Sequence, residues 1–278
     1  MSDCSYDCSS CSENCSQRKT SPEDFLVPLA KGSSVKKVIG IVSGKGGVGK
    51  SMVTSLLACA AVREGYKTAV MDADITGPSI PRAFGVKQSL VGNMDGLIVP
   101  AVTTTGIEMV SVNLMLANET DPVIWRGPVL GGVINQFWGE TMWHNIDYMF
   151  IDMPPGTGDV PLTVFQSIPL DGIVIVASPQ ELVGMIVEKA AKMAQMMQVP
   201  ILGLVENMSY VVCPDCGKKI SVFGESHVDE IAARFEVPVL AKLPIDPELA
   251  KACDEGKIEF EGADYMKDAL KVIESGWK

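Results

Sequence analysis

Short runs of consecutive apolar residues, separated by polar or glycine-containing turns, recur along the chain from residue 35 onward. Several are rich in valine and isoleucine, which is typical of strands covered on both faces. The predicted strands are Lys37–Val42, Thr68–Asp72, Tyr148–Asp152, Gly172–Ala177, Ile201–Glu206 and Val237–Lys242. The predicted helices are Ser51–Glu64, Pro161–Ile168, Gln180–Met197, Val228–Phe235, Pro247–Glu255 and Ala263–Ser275.

This alternation of strands and helices predicts an α/β fold: a doubly wound, mostly parallel sheet flanked by helices. Ligand-binding loops are then expected at the carboxyl ends of the strands. One segment departs from the alternation, because Leu97–Val112 has the pattern of a hairpin. Residues 1–33 are rich in Ser, Cys, Asp and Lys, so we expect a flexible Cys-rich arm and linker ahead of a single domain at 34–278.

The segment Ser43–Ser51, SGKGGVGKS, contains the full pattern G-x-x-x-x-G-K-[ST] between a predicted strand and a predicted helix. In such a loop the backbone N–H groups surround a phosphate, the lysine reaches the β- and γ-phosphates, and the hydroxyl binds Mg²⁺. The helix N-terminus adds its dipole to the same anion site. The residues expected around the nucleotide are Gly44, Gly46, Gly47, Val48, Gly49, Lys50, Ser51 and Met52.

Two later segments carry acids at strand ends, where a phosphate-loop enzyme needs them. Asp152 ends an apolar strand and is expected to hold Mg²⁺ together with Ser51. Gly156, in the turn that follows, can bring a backbone N–H close to the γ-phosphate. Asp74 is the candidate that orients or deprotonates the attacking water. Its neighbour Asp72 is instead a structural acid or a member of the Mg²⁺ shell.

The base is expected beside Asn207 and Pro244, which follow two further strands. An amide side chain can hydrogen-bond a purine. The chain has no guanine-reading N-K-x-D segment, so adenine is favoured and the predicted cofactor is ATP with Mg²⁺.

Cys213 and Cys216 form a C-x-x-C pair in a predicted turn, which fits half of a tetrahedral metal site, a redox pair or two incidental thiols. A two-fold homodimer would supply the missing pair, giving four thiolates around one shared [4Fe–4S] cluster or zinc ion. The arm has four more cysteines, for which a [4Fe–4S] cluster is the first interpretation, zinc the second and disulfides the third. These are Cys4, Cys8, Cys11 and Cys15.

The net charge of −11 argues against nucleic-acid and anionic membrane partners, because both require a basic face. The N-terminus lacks the basic-then-apolar pattern of a secretory signal. We therefore expect a cytoplasmic protein, in which cysteines stay reduced and bind metal or perform chemistry.

Six motifs together resemble the Mrp/ApbC/Nbp-type P-loop ATPases, iron–sulfur cluster carriers related to MinD. In chain order they are SGKGGVGKS, DADITGPSIP, WRGP, FIDMPPGTGD, ENMS and CPDCG. The N-terminal arm resembles that of the Nbp subgroup. The resemblance implies a homodimeric ATPase that receives clusters from a donor and passes them to apoproteins, with a labile [4Fe–4S] cluster shared by two CxxC motifs.

The resemblance also implies a role for Lys45, the early lysine of the loop, which in this class reaches across the interface to the partner's nucleotide. A cation supplied in trans neutralises charge that develops on the phosphates. Two other functions remain open from the sequence. One is a MinD-like regulatory ATPase with structural zinc. The other is a static cluster scaffold in which nucleotide only stabilises the dimer.

Overall fold

A computed structural model describes residues 22–74, 79–116, 127–179, 183–261 and 263–276. Its strands are β1 Val35–Val42, β2 Thr68–Asp72, β3 Val91–Gly92, β4 Ile98–Val99, β5 Ala101–Val102, β6 Glu108–Ser111, β7 Ile146–Asp152, β8 Gly172–Ala177, β9 Ile201–Val212, β10 Lys219–Ile220 and β11 Val239–Pro244. Its α-helices are α1 Lys50–Arg63, α2 Ile80–Ala83, α3 Gly127–Gly139, α4 Asp159–Ser167, α5 Val183–Met196, α6 Val228–Arg234, α7 Pro247–Asp254 and α8 Lys267–Ser275. Short 3₁₀ turns occupy Pro22–Phe25, Val112–Met115, Ile258–Phe260 and Ala263–Met266.

The central sheet has the strand order β10-β9-β8-β1-β7-β2-β6-β5, with β11 also paired to β9. Every pairing from β6 across to β9, and that of β11, is parallel, whereas β5 and β10 pair antiparallel to their neighbours. Helices α3–α6 pack on one face of the sheet, and α1, α2, α7 and α8 pack on the other. The predicted doubly wound, mostly parallel α/β fold is confirmed.

Each of the six predicted strands is present, most with bounds shifted by a few residues. The largest difference is at β9, which continues through Asn207 to Val212 and then pairs with β10 as a hairpin. Within Leu97–Val112, β5 and β6 form the expected antiparallel pair, whereas β4 pairs with β3 outside that segment.

Helix α3 was not predicted, because its sequence GPVLGGVINQFWG begins with proline and glycines that disfavour a helix. Its apolar side chains Ile134, Phe137 and Trp138 pack into the core, and this burial outweighs the weak local propensity. The predicted helix Ala263–Ser275 is a 3₁₀ turn followed by α8.

The packed part of the chain begins before the boundary that we expected at residue 34. Val27 donates its backbone N–H to Ser167 O at 2.9 Å, and its carbonyl accepts from Trp138 Nε1 at 2.7 Å. The Ser33 hydroxyl donates to Thr141 O at 3.1 Å. These contacts tie the segment that precedes β1 to the face formed by α3 and α4.

Candidate nucleotide and metal sites

The phosphate loop lies between the end of β1 and the start of α1, at the carboxyl edge of the sheet. Gly47 and Gly49 have φ of +81° and +79°, a left-handed conformation that glycine adopts without steric cost. A Cβ on Gly49 would lie 2.1 Å from Asn207 Nδ2. The loop therefore needs glycine at position 49 for its backbone conformation and for its close contact with β9.

Parallel pairing brings the acids of this edge together. The register aligns Asp72 with Asp152 across β2 and β7, and Ile41 with Asp152 across β1 and β7. Lys50, the first residue of α1, places Nζ 2.7 Å from Asp152 Oδ1 and 3.5 Å from Asp74 Oδ2. The side chains predicted for phosphate binding and for hydrolysis thus meet at one point.

Asp152 is fully buried and is surrounded by donors. The Ser51 hydroxyl donates to Asp152 Oδ2 at 2.6 Å, and Thr54 Oγ1 lies 2.9 Å from Asp152 Oδ1. Thr54 was not among the predicted site residues, although its position four residues after Lys50 puts both on one helix face. A serine hydroxyl beside a strand-end carboxylate is the donor set that holds Mg²⁺ in phosphate-loop enzymes, so these residues fit that ion.

Asp72 is buried beside this cluster. Its carboxylate accepts from Ser111 Oγ at 2.9 Å and from the backbone N–H of Asp74 at 3.2 Å. Burial, and then the nearby charge of Asp152, raise the pKa of Asp72 well above its ordinary value. Asp74 and Asp152 place further negative charge at this edge, so an anionic nucleotide binds more favourably here together with a cation.

Two other predicted loop residues lie nearby with their backbone groups already paired. Gly156 donates its N–H to Ser43 O at 2.8 Å rather than presenting it to the cavity. Lys45 is half-buried, and its carbonyl lies 3.1 Å from Ser43 Oγ. A γ-phosphate contact from the Gly156 N–H therefore requires the hydrogen bond to Ser43 to open.

A cavity of about 560 Å³ opens over the phosphate loop. Its loop side includes Gly46, Gly47, Gly49, Lys50, Ser51 and Met52, together with Asp74. Its far side is formed by residues that were not predicted to contact the nucleotide: Ser79, Arg82, Ala83, Cys253 and Asp254. Arg82 Nη2 pairs with Asp254 Oδ1 at 3.2 Å across this side. Cys253 is partly exposed and is a free thiol.

The residues predicted for the base lie within β9 and at the end of β11. Asn207 is buried, and its Nδ2 donates to Val48 O at 2.9 Å. Its Oδ1 is buried without a hydrogen-bond partner among the described residues. Pro244 is the last residue of β11 and is paired with Tyr210 of β9. The free acceptor of Asn207 fits the exocyclic amine of adenine, which is a donor.

The C-x-x-C pair lies in the turn of the β9–β10 hairpin. The Cys213 N–H donates to Lys218 O, and the Gly217 N–H donates to Cys213 O, both at 2.9 Å. Backbone N–H groups of Cys216 and Asp215 lower the pKa of the Cys213 thiol. The turn thus favours a thiolate, the form that binds metal. The arm cysteines Cys4, Cys8, Cys11 and Cys15 lie outside the described residues.

Within the described ranges no group of three or more His, Cys, Asp or Glu side chains is arranged to hold a metal ion. A tetrahedral site at Cys213 and Cys216 therefore requires further ligands from elsewhere. In the same part of the chain, no helix is long and apolar enough to cross a bilayer. Four positions of the DADITGPSIP motif, 75–78, lie outside the described residues, as do Trp125 and Arg126 of WRGP.

Two sequence relatives are similar over most of their length. An iron–sulfur cluster carrier protein of Clostridium perfringens is 46% identical over 265 residues, which are 91% of this chain and 93% of the relative. An iron–sulfur cluster carrier protein of Methanocaldococcus jannaschii is 42% identical over 246 residues, 87% of this chain and 85% of the relative.

Two solved structures share the fold of this chain. A nucleotide-binding protein of Archaeoglobus fulgidus in complex with ADP superposes with a TM-score of 0.74 at 40% identity, covering 82% of this chain and 90% of that one. The cell division ATPase MinD of Pyrococcus furiosus shares the fold, with a TM-score of 0.59 at 21% identity over 86% of this chain and 98% of that one. The family described as NUBPL iron-transfer P-loop NTPase matches residues 34–275, and the chain belongs to it.

Proposed function

We propose that this chain is an ATP-binding and ATP-hydrolysing carrier that assembles iron–sulfur clusters and transfers them to apoproteins. The observation that carries the proposal is the combination of two sites in one fold. A phosphate loop with its acids contacts the middle of β9 through Asn207, and an exposed C-x-x-C turn follows the last residue of the same strand. Membership in an iron-transfer family and relatives named as cluster carriers support it.

The nucleotide half of the function rests on the residues around Lys50. The loop N–H groups and Lys50 bind the phosphates, and Ser51 and Asp152 hold Mg²⁺. Lys50 Nζ lies 2.7 Å from Asp152 Oδ1 and neutralises this carboxylate. When nucleotide binds with Mg²⁺, Lys50 is replaced by the ion as the cation beside Asp152. Asp74, within 3.5 Å of Lys50 Nζ, positions the attacking water.

Hydrolysis requires a second copy of the chain, because Lys45 acts on the partner's nucleotide in this proposal. The other loop lysine, Lys50, is buried against Asp152, whereas Lys45 lies on the more open part of the loop. A cation supplied in trans stabilises the charge on the transferring phosphoryl group. Asn207 and Pro244 bind adenine, with the unpaired Asn207 Oδ1 as the acceptor.

The cluster is cargo and is held between two subunits. Cys213 and Cys216 supply two thiolates, and the two-fold-related pair completes the four that a [4Fe–4S] cluster needs. The exposed apolar side chains Val212, Ile220 and Val222 surround this turn and suit an interface. The arm cysteines Cys4, Cys8, Cys11 and Cys15 hold a second cluster.

Anaerobic reconstitution with iron and sulfide, followed by Mössbauer spectroscopy and metal analysis, tests the cargo. The experiment uses a chain in which all four arm cysteines are replaced by alanine, so that only the C-x-x-C site remains. We expect one [4Fe–4S] cluster per dimer, lost in Cys213→Ala and in Cys216→Ala and kept in the control Cys59→Ala. Stoichiometric zinc in place of iron, or a cluster retained without Cys213, would contradict the proposal.

A further inference from the structure

One strand connects the two sites. β9 runs from Ile201 to Val212, contacts the phosphate loop through Asn207, and leads directly into Cys213. Successive side chains of a strand point to opposite faces of the sheet. Glu206 and Asn207 therefore face opposite sides of the sheet. Because they are neighbours on one strand, a displacement of β9 changes the surroundings of both side chains.

Asn207 is held tightly against the loop. It is 1% exposed, donates to Val48 O at 2.9 Å, and occupies the space where a Cβ of Gly49 would stand. Its Oδ1 has no partner among the described residues, so the side chain is only half satisfied. A change in the backbone at Val48 or Gly49 must therefore move or release Asn207.

The strand changes character immediately after this contact. Glu206 is paired on both sides, with Ala177 of β8 and Lys242 of β11. Beyond it β8 has ended, and the register with β11 shifts between Lys242 and Pro244. Met208 has φ of +58°, a left-handed conformation that costs a non-glycine residue free energy. The backbone strain at Met208 and the end of β8 thus fall at the same point of β9. We take this point as the hinge, because hinges are a few positions that absorb a change in backbone angles.

On the far side of the hinge, two serine hydroxyl groups donate hydrogen bonds to a buried acid. Glu206 is 1% exposed and accepts from Ser209 Oγ at 2.5 Å and from Ser226 Oγ at 2.9 Å. Ser226 belongs to the segment that returns from the β10 hairpin to α6, and its Oγ also lies 3.4 Å from the Val228 N–H. Glu206 thus joins the rigid half of β9 to both ends of the C-x-x-C hairpin.

We propose that Glu206 and Ser226 are positioning residues that couple nucleotide occupancy to the C-x-x-C turn, with Met208 as the hinge. A nucleotide that reorganises Val48 and Gly49 displaces Asn207. The displacement passes along β9 to Glu206, and the hydrogen bond to Ser226 carries it to the hairpin that holds Cys213 and Cys216. The inference rests on the proposed function, because it names the physical link between the two sites of that function.

The test measures how fast iodoacetamide alkylates Cys213 and Cys216 in the metal-free chain, by peptide-resolved mass spectrometry. Rates are compared with and without the β,γ-imido analogue of ATP and Mg²⁺. In the wild type we expect the nucleotide to change the rate about five-fold, at the lower end of typical coupling between sites. Ser226→Ala should bind the analogue with unchanged affinity and lose this difference, and Ser226→Thr, which keeps the hydroxyl, should restore it.

A matched control is Ser275→Ala, which removes an exposed hydroxyl bonded to Val272 O at 2.8 Å and should keep the wild-type response. Glu206→Gln is the second variant, since it keeps the shape of the acid but weakens both hydroxyl contacts, and we expect a reduced response. A response retained in Ser226→Ala, or absent from the wild type, would overturn the coupling. The assay needs no cluster, so a failure of cluster binding at these cysteines is detected separately.

Discussion

The side-chain nitrogen of Asn207 lies 2.1 Å from the position that a Cβ on Gly49 would take. Asn207 cannot yield, because it is buried and its amide is bound to Val48 O. We therefore expect Gly49→Ala to distort the loop and weaken binding of a fluorescent ADP analogue by more than about ten-fold, a loss of about 1.4 kcal/mol. Fluorescence titration measures the affinity.

Gly65→Ala is the matched control for Gly49→Ala. Gly65 ends α1 with φ of +89°, and no atom lies within 4 Å of the position its Cβ would take. This change should lower the free energy of unfolding by about 1 kcal/mol through backbone conformation alone and leave nucleotide affinity unchanged. Equal nucleotide affinities for the two variants would contradict the role of the Gly49–Asn207 contact.

The raised pKa of Asp72 predicts an unusual pH dependence of the free energy of unfolding. Its pKa is raised in the folded state, so its contribution to stability is full below the unfolded value of about 3.9 and is lost as the pH rises toward the folded value. Asp72→Asn removes this dependence. The free energy of unfolding of the variant relative to wild type should therefore increase as the pH rises above about 5 in urea titrations without Mg²⁺.

Asp147→Asn is the comparison for the effect of pH. Hydrogen bonds from Lys36 and from the Lys67 backbone lower the pKa of Asp147, so the stability that it contributes is lost only as the pH falls below about 4. The free energy of unfolding of Asp147→Asn relative to wild type should therefore stay constant over the same pH range. If the free energy of unfolding of Asp72→Asn relative to wild type were also independent of pH, Asp72 would not be held neutral.

Lys45→Ala tests the composite catalytic site. The variant should bind ATP with wild-type affinity, because Lys50 and the loop N–H groups remain, and should lose about a thousand-fold in turnover. Phosphate release in steady-state assays measures the loss.

Mixing distinguishes action in trans from action within one subunit. A mixture of Lys45→Ala and Lys50→Ala chains forms heterodimers in which one intact Lys50 site receives the partner's Lys45. Turnover should therefore recover on mixing. Recovery that fails in a mixture shown to contain heterodimers would assign Lys45 to its own subunit.

The thiols of the described residues should react in a fixed order. Iodoacetamide should alkylate Cys213 first, since its pKa is lowered, and Cys253 more slowly, since burial and Asp254 raise its pKa. Burial raises the pKa of Cys59 to about 12, so Cys59 should react only on unfolding. ADP should protect Cys253, which lines the cavity. Equal rates for Cys253 with and without ADP would place the nucleotide elsewhere.

Much of the fold was predictable because its strands are continuous apolar runs and its phosphate loop is a local motif. β7 and β8 are strands of this kind, and the loop was identified by the spacing of Gly44 from Gly49, Lys50 and Ser51, between a predicted strand and a predicted helix. Helix α3 was not predictable, because its glycines oppose a helix and only the burial of residues such as Phe137 stabilises it.

The remaining parts of the site depend on distant contacts that no local pattern contains. The sequence gives Asn207 as a strand-end amide, but not that its nitrogen is bound to Val48 O 159 residues away. Arg82 and Asp254 form the far side of the cavity because α2 and α7 meet there, 172 residues apart in the chain. Such pairs follow from topology, and the sequence indicates them only after the strand order is known.

The proposed function requires that ATP control the transfer of a cluster held by Cys213 and Cys216. Its most direct test is transfer from the reconstituted chain to an apo-dehydratase, followed by recovery of dehydratase activity under anaerobic conditions with and without MgATP. We predict transfer that depends on ATP in the wild type and in the chain lacking the arm cysteines, and that is lost in Cys213→Ala/Cys216→Ala. Transfer at the wild-type rate by this double variant would contradict the account.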